Sequence, residues 1–281
     1  MEKQICIITG ATDGIGKATV WGLASVANLV MVLPCRNTEK AEKLKQEVVA
    51  KFPTALIEPL PCDLASFESI HKFVKLFAQK YDKLHLLINN AGIWNNKKQF
   101  SRDGIELNLA VNHFAPFLLT NLLIEHLKVG ASESLPARII NVSSDMHAYG
   151  TINFDDLEMQ RNFDGIRAYA QSKLANILFT KVLAERLKPF HITANSLMPG
   201  VVISNLFNST NWFVRMALRT ISISPEQGAE TTLFLATDPS VKHITGEYFY
   251  KKKTKRPAPK SQDQQTAEQL WKVSEKYVGL W

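Results

Sequence analysis

The sequence contains few cysteines, and they form no pattern. Cys6, Cys35 and Cys62 are an odd number, none lies in a C-x-x-C pair, and each sits in or beside an apolar run. We therefore expect buried free thiols rather than a disulfide framework or a structural metal site. No metal is expected in the functional site.

Long hydrophobic runs are also lacking. No apolar run approaches the roughly 18 residues that a membrane-spanning helix needs. The longest runs, residues 23–33 and 114–124, contain Asn28 and Thr120 respectively, and both are typical of buried core. A strand-like run begins at Gln4, so we expect no signal peptide and no N-terminal membrane anchor. These features predict a soluble, cytoplasmic protein.

The net charge of +7 is concentrated in one short run. Without that run the chain has 27 basic and 26 acidic residues, so we expect no nucleic-acid partner. The run is either a solvated segment or a patch for an anionic partner or a membrane surface, to which the protein would bind peripherally. Its six basic residues, with no acid among them, are Lys251, Lys252, Lys253, Lys255, Arg256 and Lys260.

Short apolar runs alternate with helical patterns along most of the chain. Hydrophobic residues make up 46% and charged residues 21% of the sequence, which is typical of a globular protein. The alternation predicts one α/β domain over residues 1–281, a doubly wound Rossmann fold with a mostly parallel seven-stranded sheet and helices on both faces. The predicted strands are residues 5–9, 29–33, 56–60, 84–89, 138–143, 192–197 and 246–250. The predicted helices are residues 15–27, 38–49, 67–79, 105–127, 169–187 and 225–235, with a further C-terminal helix within residues 251–281.

Two long connections interrupt this alternation. Residues 148–167 are polar with scattered aromatic side chains. Residues 201–224 follow Pro199 and Gly200 and include Trp212 and Phe213. Long connections in a compact domain are often lids or binding loops, so residues 201–224 are predicted to be a substrate lid. A surface helix packed on the core is the alternative.

The first predicted strand leads into a glycine-rich turn, TGATDGIG. Gly10, Gly14 and Gly16 allow the backbone to approach a pyrophosphate, whose charge is stabilised by free N–H groups and the helix dipole. A plain tight turn also collects glycine, but a position between a first strand and a helix favours dinucleotide binding. At the end of the second strand stands Arg36, with no acidic residue beside it. This favours NADP(H) over NAD(H), although Arg36 could also be an exposed helix-start residue.

Seven motifs together resemble the short-chain dehydrogenase/reductase superfamily, over nearly the whole chain. Within it, the stretches VNHFAPFLLTNLL, RIINVSSDMHA, INFDDL and AYAQSKLANILFT resemble the retinol dehydrogenase-like branch. The motifs are TGATDGIG (9–16), CDL (62–64), NNAG (89–92), VNHF (111–114), NVSS (141–144), YAQSK (169–173) and PG (199–200).

The resemblance implies a catalytic tetrad of Asn112, Ser144, Tyr169 and Lys173. Tyr169 would exchange a proton with the substrate oxygen, and Lys173, one helical turn on, would lower the pKa of the phenol and hold the nicotinamide ribose. Ser144 would hydrogen-bond the carbonyl oxygen, with Ser143 as the alternative. Asn112 would anchor a water behind Lys173, or be a buried structural amide.

The resemblance also implies the residues that bind the cofactor. Asp63 would lie near the adenine and Asn90 at the adenine ribose, while Ile15 would meet the pyrophosphate through its backbone. Asp63 is alternatively a helix N-cap, a position for which Ser66 competes. Asp13 departs from the family pattern, because a carboxylate near the phosphates is unfavourable. The complete set is Gly10, Asp13, Gly14, Ile15, Gly16, Arg36, Asp63, Leu64, Asn90, Ala91, Gly92, Tyr169, Lys173, Pro199 and Gly200.

Taken together, these expectations describe an NADP(H)-dependent enzyme that interconverts a lipophilic alcohol and its aldehyde or ketone. The alternatives are reduction of a carbon–carbon double bond on the same framework, a non-catalytic NADP(H)-sensing interaction protein, and a membrane-surface adaptor built on the basic run. The family pairs through long helices, which implies a homodimer or homotetramer.

Overall fold

The apolar runs of the sequence form a single sheet. The structure, a computed structural model, describes residues 2–202 and 222–280. Within these residues the strands are β1 (Gln4–Ile8), β2 (Leu29–Cys35), β3 (Leu56–Pro61), β4 (Leu86–Asn89), β5 (Ala137–Val142), β6 (Ile192–Met198), β7 (Tyr248–Tyr250) and β8 (Lys253–Thr254). Their order is β3-β2-β1-β4-β5-β6-β7-β8. All neighbours are parallel except β7 and β8, so the prediction of a doubly wound, mostly parallel sheet is confirmed.

Helices cover both faces of the sheet. Within the described residues the helices are α1 (Gly14–Leu23), α2 (Thr38–Lys51), α3 (Phe67–Ala78), α4 (Leu107–Leu109), α5 (Ala115–Leu122), α6 (Ile124–Gly130), α7 (Gly165–Leu187), α8 (Pro225–Thr237) and α9 (Gln264–Val278). On one face α1, α2 and α8 pack through Val20, Leu44 and Leu235. On the other, α3, α5, α6, α7 and α9 pack around Phe73, Phe117 and other apolar side chains.

The eighth strand differs from the sequence-based expectation of seven. β8 lies inside the basic run and pairs with β7 in a hairpin, with Tyr250 opposite Lys253. The two residues of the turn, Lys251 and Lys252, have positive φ angles of 49° and 63°. Tight hairpins need such angles and usually use Asn or Gly for them. Two lysines give no such signal, so the sequence pattern does not predict this strand.

The helix predicted over residues 105–127 is broken into shorter pieces. A π-helical turn, Ala110–Phe114, separates α4 from α5, and α5 and α6 meet at Leu123. Pro116 is one local cause of the break, because it has no N–H to donate to the carbonyl of Asn112 four residues earlier. Asn112 therefore lies in a turn with irregular hydrogen bonding, a kind of turn often found at functional sites.

The C-terminal helix α9 covers the helical layer beside α7. Trp271 packs against Phe117 and Phe179 with ring centroids 4.9 Å and 5.7 Å apart. The guanidinium of Arg186, near the end of α7, lies 4.1 Å from the Trp271 ring centroid. The ring of Tyr277 stacks on Phe114 at 4.6 Å. α9 is therefore part of the core that supports the π-helical turn.

Among the described helices, none is by itself long and apolar enough to cross a membrane. The segments Leu107–Leu122 and Ile124–Gly130 reach that length and composition only when taken together, and they meet at a bend of 54°.

Candidate active site

The candidate site lies where the chain direction across the sheet reverses. β1 pairs with β2 on one side and with β4 on the other. The chain adds β2 and β3 to one side of β1, then crosses back and adds β4, β5 and β6 to the other side. Ligands of open α/β sheets bind at this switch point, outside the carboxyl ends of the strands. The glycine-rich turn follows β1, and the NNAG motif begins at the end of β4.

The glycine-rich turn is tightly folded against the NNAG motif. Gly10 has a φ of +65°. A Cβ atom at Gly16 would lie 2.1 Å from the Gly10 carbonyl oxygen and 2.6 Å from Nδ2 of Asn90, so only glycine fits there. The turn therefore depends on a close approach that any side chain would prevent.

Thr9 and Asn90 connect the two strand ends. The backbone N–H groups of Asn90 and Ala91 donate to Oγ1 of Thr9 at 3.0 Å and 2.9 Å. The side-chain amide of Asn90 donates to the Thr9 carbonyl oxygen at 2.8 Å. The amide nitrogen of Asn90 thus supports the turn itself, and Thr9, which sequence reasoning did not single out, is the residue that joins the two motifs.

The start of α1 is suited to hold a pyrophosphate. The first N–H groups of a helix have no intrahelical acceptor, so those at Ile15 and Gly16 are available to an anion at the turn. Asp13 is the N-cap, and its carboxylate accepts from the N–H of Gly14 at 2.8 Å and lies 3.9 Å from Nζ of Lys40. The ammonium of Lys40 therefore partly offsets the negative charge of Asp13, the residue that departs from the family pattern. The free N–H groups and the glycine cradle fit the diphosphate of a dinucleotide.

The predicted adenine end of the site lies at the carboxyl ends of β2 and β3. Arg36 is exposed immediately after β2. Asp63 follows β3, and its carboxylate accepts from the N–H of Ala65 at 3.0 Å and lies 3.8 Å from Arg102. The N-cap of α3 is Ser66, not Asp63, so the alternative of an Asp63 cap is wrong. Leu64 is half-buried beside it.

Tyr169 and Lys173 share one face of α7, as their spacing predicts. Nζ of Lys173 lies 5.5 Å from the centroid of the Tyr169 ring and donates to the carbonyl oxygen of Val142 at 3.1 Å. A Cβ atom at Gly92 would lie 3.2 Å from that Nζ and 3.4 Å from Oδ1 of Asn112. Gly92 therefore permits the NNAG loop, Lys173 and Asn112 to converge.

Asn112 is fully engaged with the backbone of the NNAG loop. Its Oδ1 accepts from the N–H of Ile93 at 2.8 Å, and its Nδ2 donates to the Ile93 carbonyl oxygen at 2.9 Å and to Oγ of Ser172 at 3.0 Å. Ser172 in turn donates to the carbonyl oxygen of Tyr169 at 2.7 Å. Asn112 thus links the π-helical turn to the loop and to α7.

The two serines at the end of β5 have different surroundings. Ser143 is buried, and its hydroxyl donates to the Lys173 carbonyl oxygen at 2.7 Å. Ser144 is more exposed, and its hydroxyl oxygen accepts from the N–H of Met146 at 3.2 Å. The Ser144 side chain also lies close enough to Tyr169 to lower the pKa of its phenol. The structure thus brings Ser144, not Ser143, to the phenol.

Burial is the main cause of the pKa shifts of Tyr169 and Lys173. It raises the pKa of Tyr169 to about 12, and the nearby Ser144 side chain lowers that pKa by a smaller amount. It lowers the pKa of Lys173 to about 8. Tyr169 is thus a protonated phenol at neutral pH, the form that can donate a proton to a carbonyl oxygen. The lowering of its pKa by Lys173 stays a prediction.

Trp94 is a further side chain of the site that sequence reasoning missed. Its indole stacks on the Tyr169 ring, with centroids 5.6 Å apart and planes inclined by 25°. Gly165 at the start of α7 allows this approach, because a Cβ atom there would lie 2.5 Å from the Asn95 carbonyl oxygen. The available signal was its place two residues after NNAG.

The other side of the site is bordered by the segment after β6. Gly200 has a φ of +98°. Val202, two residues later, forms an isolated parallel bridge with Ile223. Residues 203–221, which include most of the predicted lid with Trp212 and Phe213, lie outside the described residues. No cluster of three or more His, Cys, Asp or Glu side chains suited to a metal ion occurs in residues 2–202 and 222–280.

Comparison with known proteins agrees with this arrangement. The model of the short chain dehydrogenase family matches residues 4–213. The chain belongs to the short-chain dehydrogenase family. It is 37% identical to human retinol dehydrogenase 14, over 100% of this chain and 88% of that protein. It is 38% identical to mouse retinol dehydrogenase 12 (99% and 87%) and 35% identical to human polyprenol dehydrogenase (99% and 86%). This short-chain dehydrogenase is therefore retinol dehydrogenase-like.

Solved structures share the fold. A crystal structure of an uncharacterised protein from Mycobacterium paratuberculosis has a TM-score of 0.78 and 28% identity, covering 99% of this chain and 94% of that one. The Pseudomonas aeruginosa RhlG/NADP complex has a TM-score of 0.72 and 22% identity (89% and 94%). A Brucella melitensis 3-ketoacyl-(acyl-carrier-protein) reductase complexed with NADH has 0.69 and 24% (88% and 96%). The last two support the short-chain dehydrogenase fold alone.

Proposed function

We propose that this short-chain dehydrogenase is an NADP(H)-dependent oxidoreductase that interconverts a lipophilic alcohol and its aldehyde or ketone. The observation that carries the proposal is the convergence of Ser144, Tyr169 and Lys173 at the switch point beside the glycine-rich turn. Its relatives include proteins named as retinol and polyprenol dehydrogenases, and both names denote lipophilic alcohols.

In this proposal Tyr169 is the general acid or base of the reaction. A bound nicotinamide supplies or accepts the hydride. In carbonyl reduction the protonated phenol of Tyr169 gives its proton to the substrate oxygen, and the Ser144 hydroxyl donates a hydrogen bond to the same oxygen. The raised pKa of Tyr169, about 12, keeps this proton in place until the oxygen gains charge.

Lys173 has an electrostatic part in the same step. Its ammonium lies 5.5 Å from the Tyr169 ring centroid, and a positive charge at that distance stabilises the phenolate left after proton transfer. Asn112 fixes the backbone of Ile93, because the Asn112 side chain forms hydrogen bonds with both the N–H and the carbonyl oxygen of Ile93. We assign Lys173 to the catalytic group and Asn112 to the support of a proton relay.

The cofactor is proposed to lie along the carboxyl ends of β1, β2 and β4. The N–H groups of Ile15 and Gly16 would hold the diphosphate, and Arg36 would pair with a 2′-phosphate, which only NADP(H) carries. Asp63 and Leu64 would border the adenine, Asn90 the adenine ribose, and Pro199 and Gly200 the nicotinamide. Ala91 and Gly92 belong to the same cofactor-binding loop.

The substrate and the surroundings of the enzyme are part of the proposal. We propose a lipophilic substrate admitted under residues 201–224, and a cytoplasmic protein of a single domain, with peripheral membrane contact through Trp212 and Phe213. Pairing into a homodimer or homotetramer stays a prediction.

The experiment is to follow nicotinamide absorbance with purified protein. NADPH and NADH are each supplied with retinal, long-chain aliphatic aldehydes, steroid ketones and a conjugated enone, and the products are identified by mass and chromatography. Formation of an alcohol with NADPH supports the proposal. A saturated carbonyl from the enone would instead indicate carbon–carbon double-bond reduction. Tight NADPH binding without turnover of any compound would contradict the proposal and favour a non-catalytic NADP(H)-sensing protein.

A further inference from the structure

Two lysines of the basic run near the C-terminus contact the segment after Ser144. Nζ of Lys255 lies 3.0 Å from both carboxylate oxygens of Asp145. Nζ of Lys260 donates to the Gly150 carbonyl oxygen at 3.2 Å and to Oγ1 of Thr151 at 3.0 Å. Both lysines therefore contact the segment that directly follows Ser144. We call residues 248–260 the C-terminal clamp.

His147 is the buried centre of this contact. It is 3% exposed, and its Nε2 lies 3.0 Å from the backbone nitrogen of Ala258. Because a backbone N–H can only donate, Nε2 is the acceptor, and in the neutral ring the proton is then on Nδ1. Nδ1 lies 2.6 Å from the Ser144 carbonyl oxygen and therefore donates to it. His147 thus connects the clamp to the backbone of Ser144 through two hydrogen bonds.

Asp145 is the second connection between the two segments. Its Oδ1 accepts a hydrogen bond from the Tyr248 hydroxyl at 2.9 Å in addition to the contact with Lys255. The Tyr248 ring also packs edge-on against His147, with centroids 5.1 Å apart. The Lys255 and Asp145 side chains are 41% and 44% exposed, and exposed ion pairs contribute little. The buried histidine is therefore expected to contribute more than the lysine.

We propose that His147, assisted by the Asp145–Lys255 pair, is a positioning residue that fixes the Ser144 hydroxyl relative to Tyr169. Ser144 itself lies at the start of a 3₁₀ turn, Asp145–Tyr149, and the clamp, which includes the last two strands of the sheet, contacts this turn. On this account Lys255 and Lys260 of the basic run support the active site. The inference rests on the proposed function, because it takes Ser144 as the hydrogen-bond donor to the substrate oxygen.

Two variants separate the two hydrogen bonds of His147. In His147→Asn the amide nitrogen takes the place of Nδ1 and keeps a donor toward the Ser144 carbonyl. In His147→Gln the amide oxygen takes the place of Nε2 and keeps only the acceptor for Ala258. We expect His147→Gln to lower kcat about tenfold, and His147→Asn to retain most of the activity. KM for NADPH should be unchanged in both.

The lysine is tested against a neighbour in the same run. Lys255→Met removes the contact with Asp145 and should lower kcat about twofold to threefold. Lys253→Met removes the same charge from an exposed residue whose side chain has no ion pair or hydrogen bond within residues 2–202 and 222–280. We expect this control to match the wild type.

Amide hydrogen exchange measures the clamp without reference to activity. Peptides that cover residues 145–151 should exchange faster in His147→Gln and Lys255→Met, and at the wild-type rate in Lys253→Met. Unchanged exchange in both His147 variants would overturn the clamp, even if the wild type reduces no carbonyl and the proposed function fails. Faster exchange with undiminished kcat in His147→Gln would overturn the positioning of Ser144 and leave the proposed function intact.

Discussion

The indole of Trp94 stacks on the phenol ring of Tyr169, with centroids 5.6 Å apart. Trp94 follows the NNAG motif on the loop after β4, whereas Tyr169 lies in the first turns of α7. The stacking therefore fixes the Tyr169 ring relative to the loop that is proposed to border the cofactor. The hydroxyl of this ring is the group proposed to transfer the proton.

Removal of this stacking should slow the reaction without abolishing it. An aromatic pair contributes about 0.5–1.5 kcal/mol beyond its buried area, so Trp94→Ala is expected to lower kcat about twofold to tenfold. Trp94→Phe keeps a stacking partner and should lie between Trp94→Ala and the wild type. Steady-state kinetics of the three proteins with one carbonyl substrate measure this. Equal kcat values for all three would show that the stacking does not orient Tyr169.

The preference for NADP(H) should depend on Arg36. Arg36→Glu replaces a cation by an anion where the 2′-phosphate is proposed to lie, so the ratio of kcat/KM for NADPH to that for NADH should fall at least about tenfold. Lys43→Glu makes the same change of net charge at an exposed position of α2 and is the control. If both variants alter the ratio equally, the effect is a general electrostatic one and Arg36 does not contact the phosphate.

Carbonyl reduction should lose activity on the alkaline side of neutrality. Burial lowers the pKa of Lys173 to about 8, so the ammonium is present below that pH and is lost as the pH rises through it. Tyr169, with a pKa of about 12, keeps its proton over the same range. We therefore expect kcat to fall as the pH rises through about 8.

A Lys173→Arg variant identifies the group responsible for that fall. Arginine stays charged throughout this range, so whatever activity the variant retains should persist well above pH 8. Circular dichroism at each pH controls for unfolding. A decline in Lys173→Arg at the same pH as in the wild type would assign the ionisation to another group.

The described core predicts a structural role for the C-terminal helix. Trp271 is 4% exposed and packs on Phe117, Phe179 and Arg186, so Trp271→Ala should lower the free energy of unfolding by about 3–5 kcal/mol. Trp21→Ala is the matched control. Because Trp21 is half-buried and packs edge-on against Phe52, its removal should lower the free energy of unfolding by less. Urea denaturation of the three proteins compares them. A loss in Trp271→Ala no larger than in Trp21→Ala would mean that α9 is only loosely attached.

Much of the fold and part of the site follow from local sequence patterns. The parallel sheet is predictable because apolar strand runs alternate with helices. Tyr169 and Lys173 are predictable as a pair because a spacing of four residues places them on one helix face. Gly16 is predictable because it belongs to a glycine-rich turn between the first strand and a helix.

Other features depend on contacts between distant parts of the chain. The side chain of Asn112, in the π-helical turn, hydrogen-bonds the backbone of Ile93, 19 residues away in the sequence, and helix periodicity does not encode such a contact. The contacts of His147 with Ala258 and of Asp145 with Lys255 join segments more than 100 residues apart. A basic run therefore looks like a solvated or membrane-binding segment until its partners are known.

The central claim is that Tyr169 transfers the proton in an NADPH-dependent carbonyl reduction. Tyr169→Phe removes only the hydroxyl and keeps the ring that stacks on Trp94, so cofactor binding and folding should be retained. The most direct measurement is NADPH oxidation by wild type and Tyr169→Phe with the best carbonyl substrate, alongside NADPH titration of both proteins. The account predicts nearly equal NADPH affinity and a loss of turnover of at least about a hundredfold. Wild-type turnover in Tyr169→Phe would contradict it.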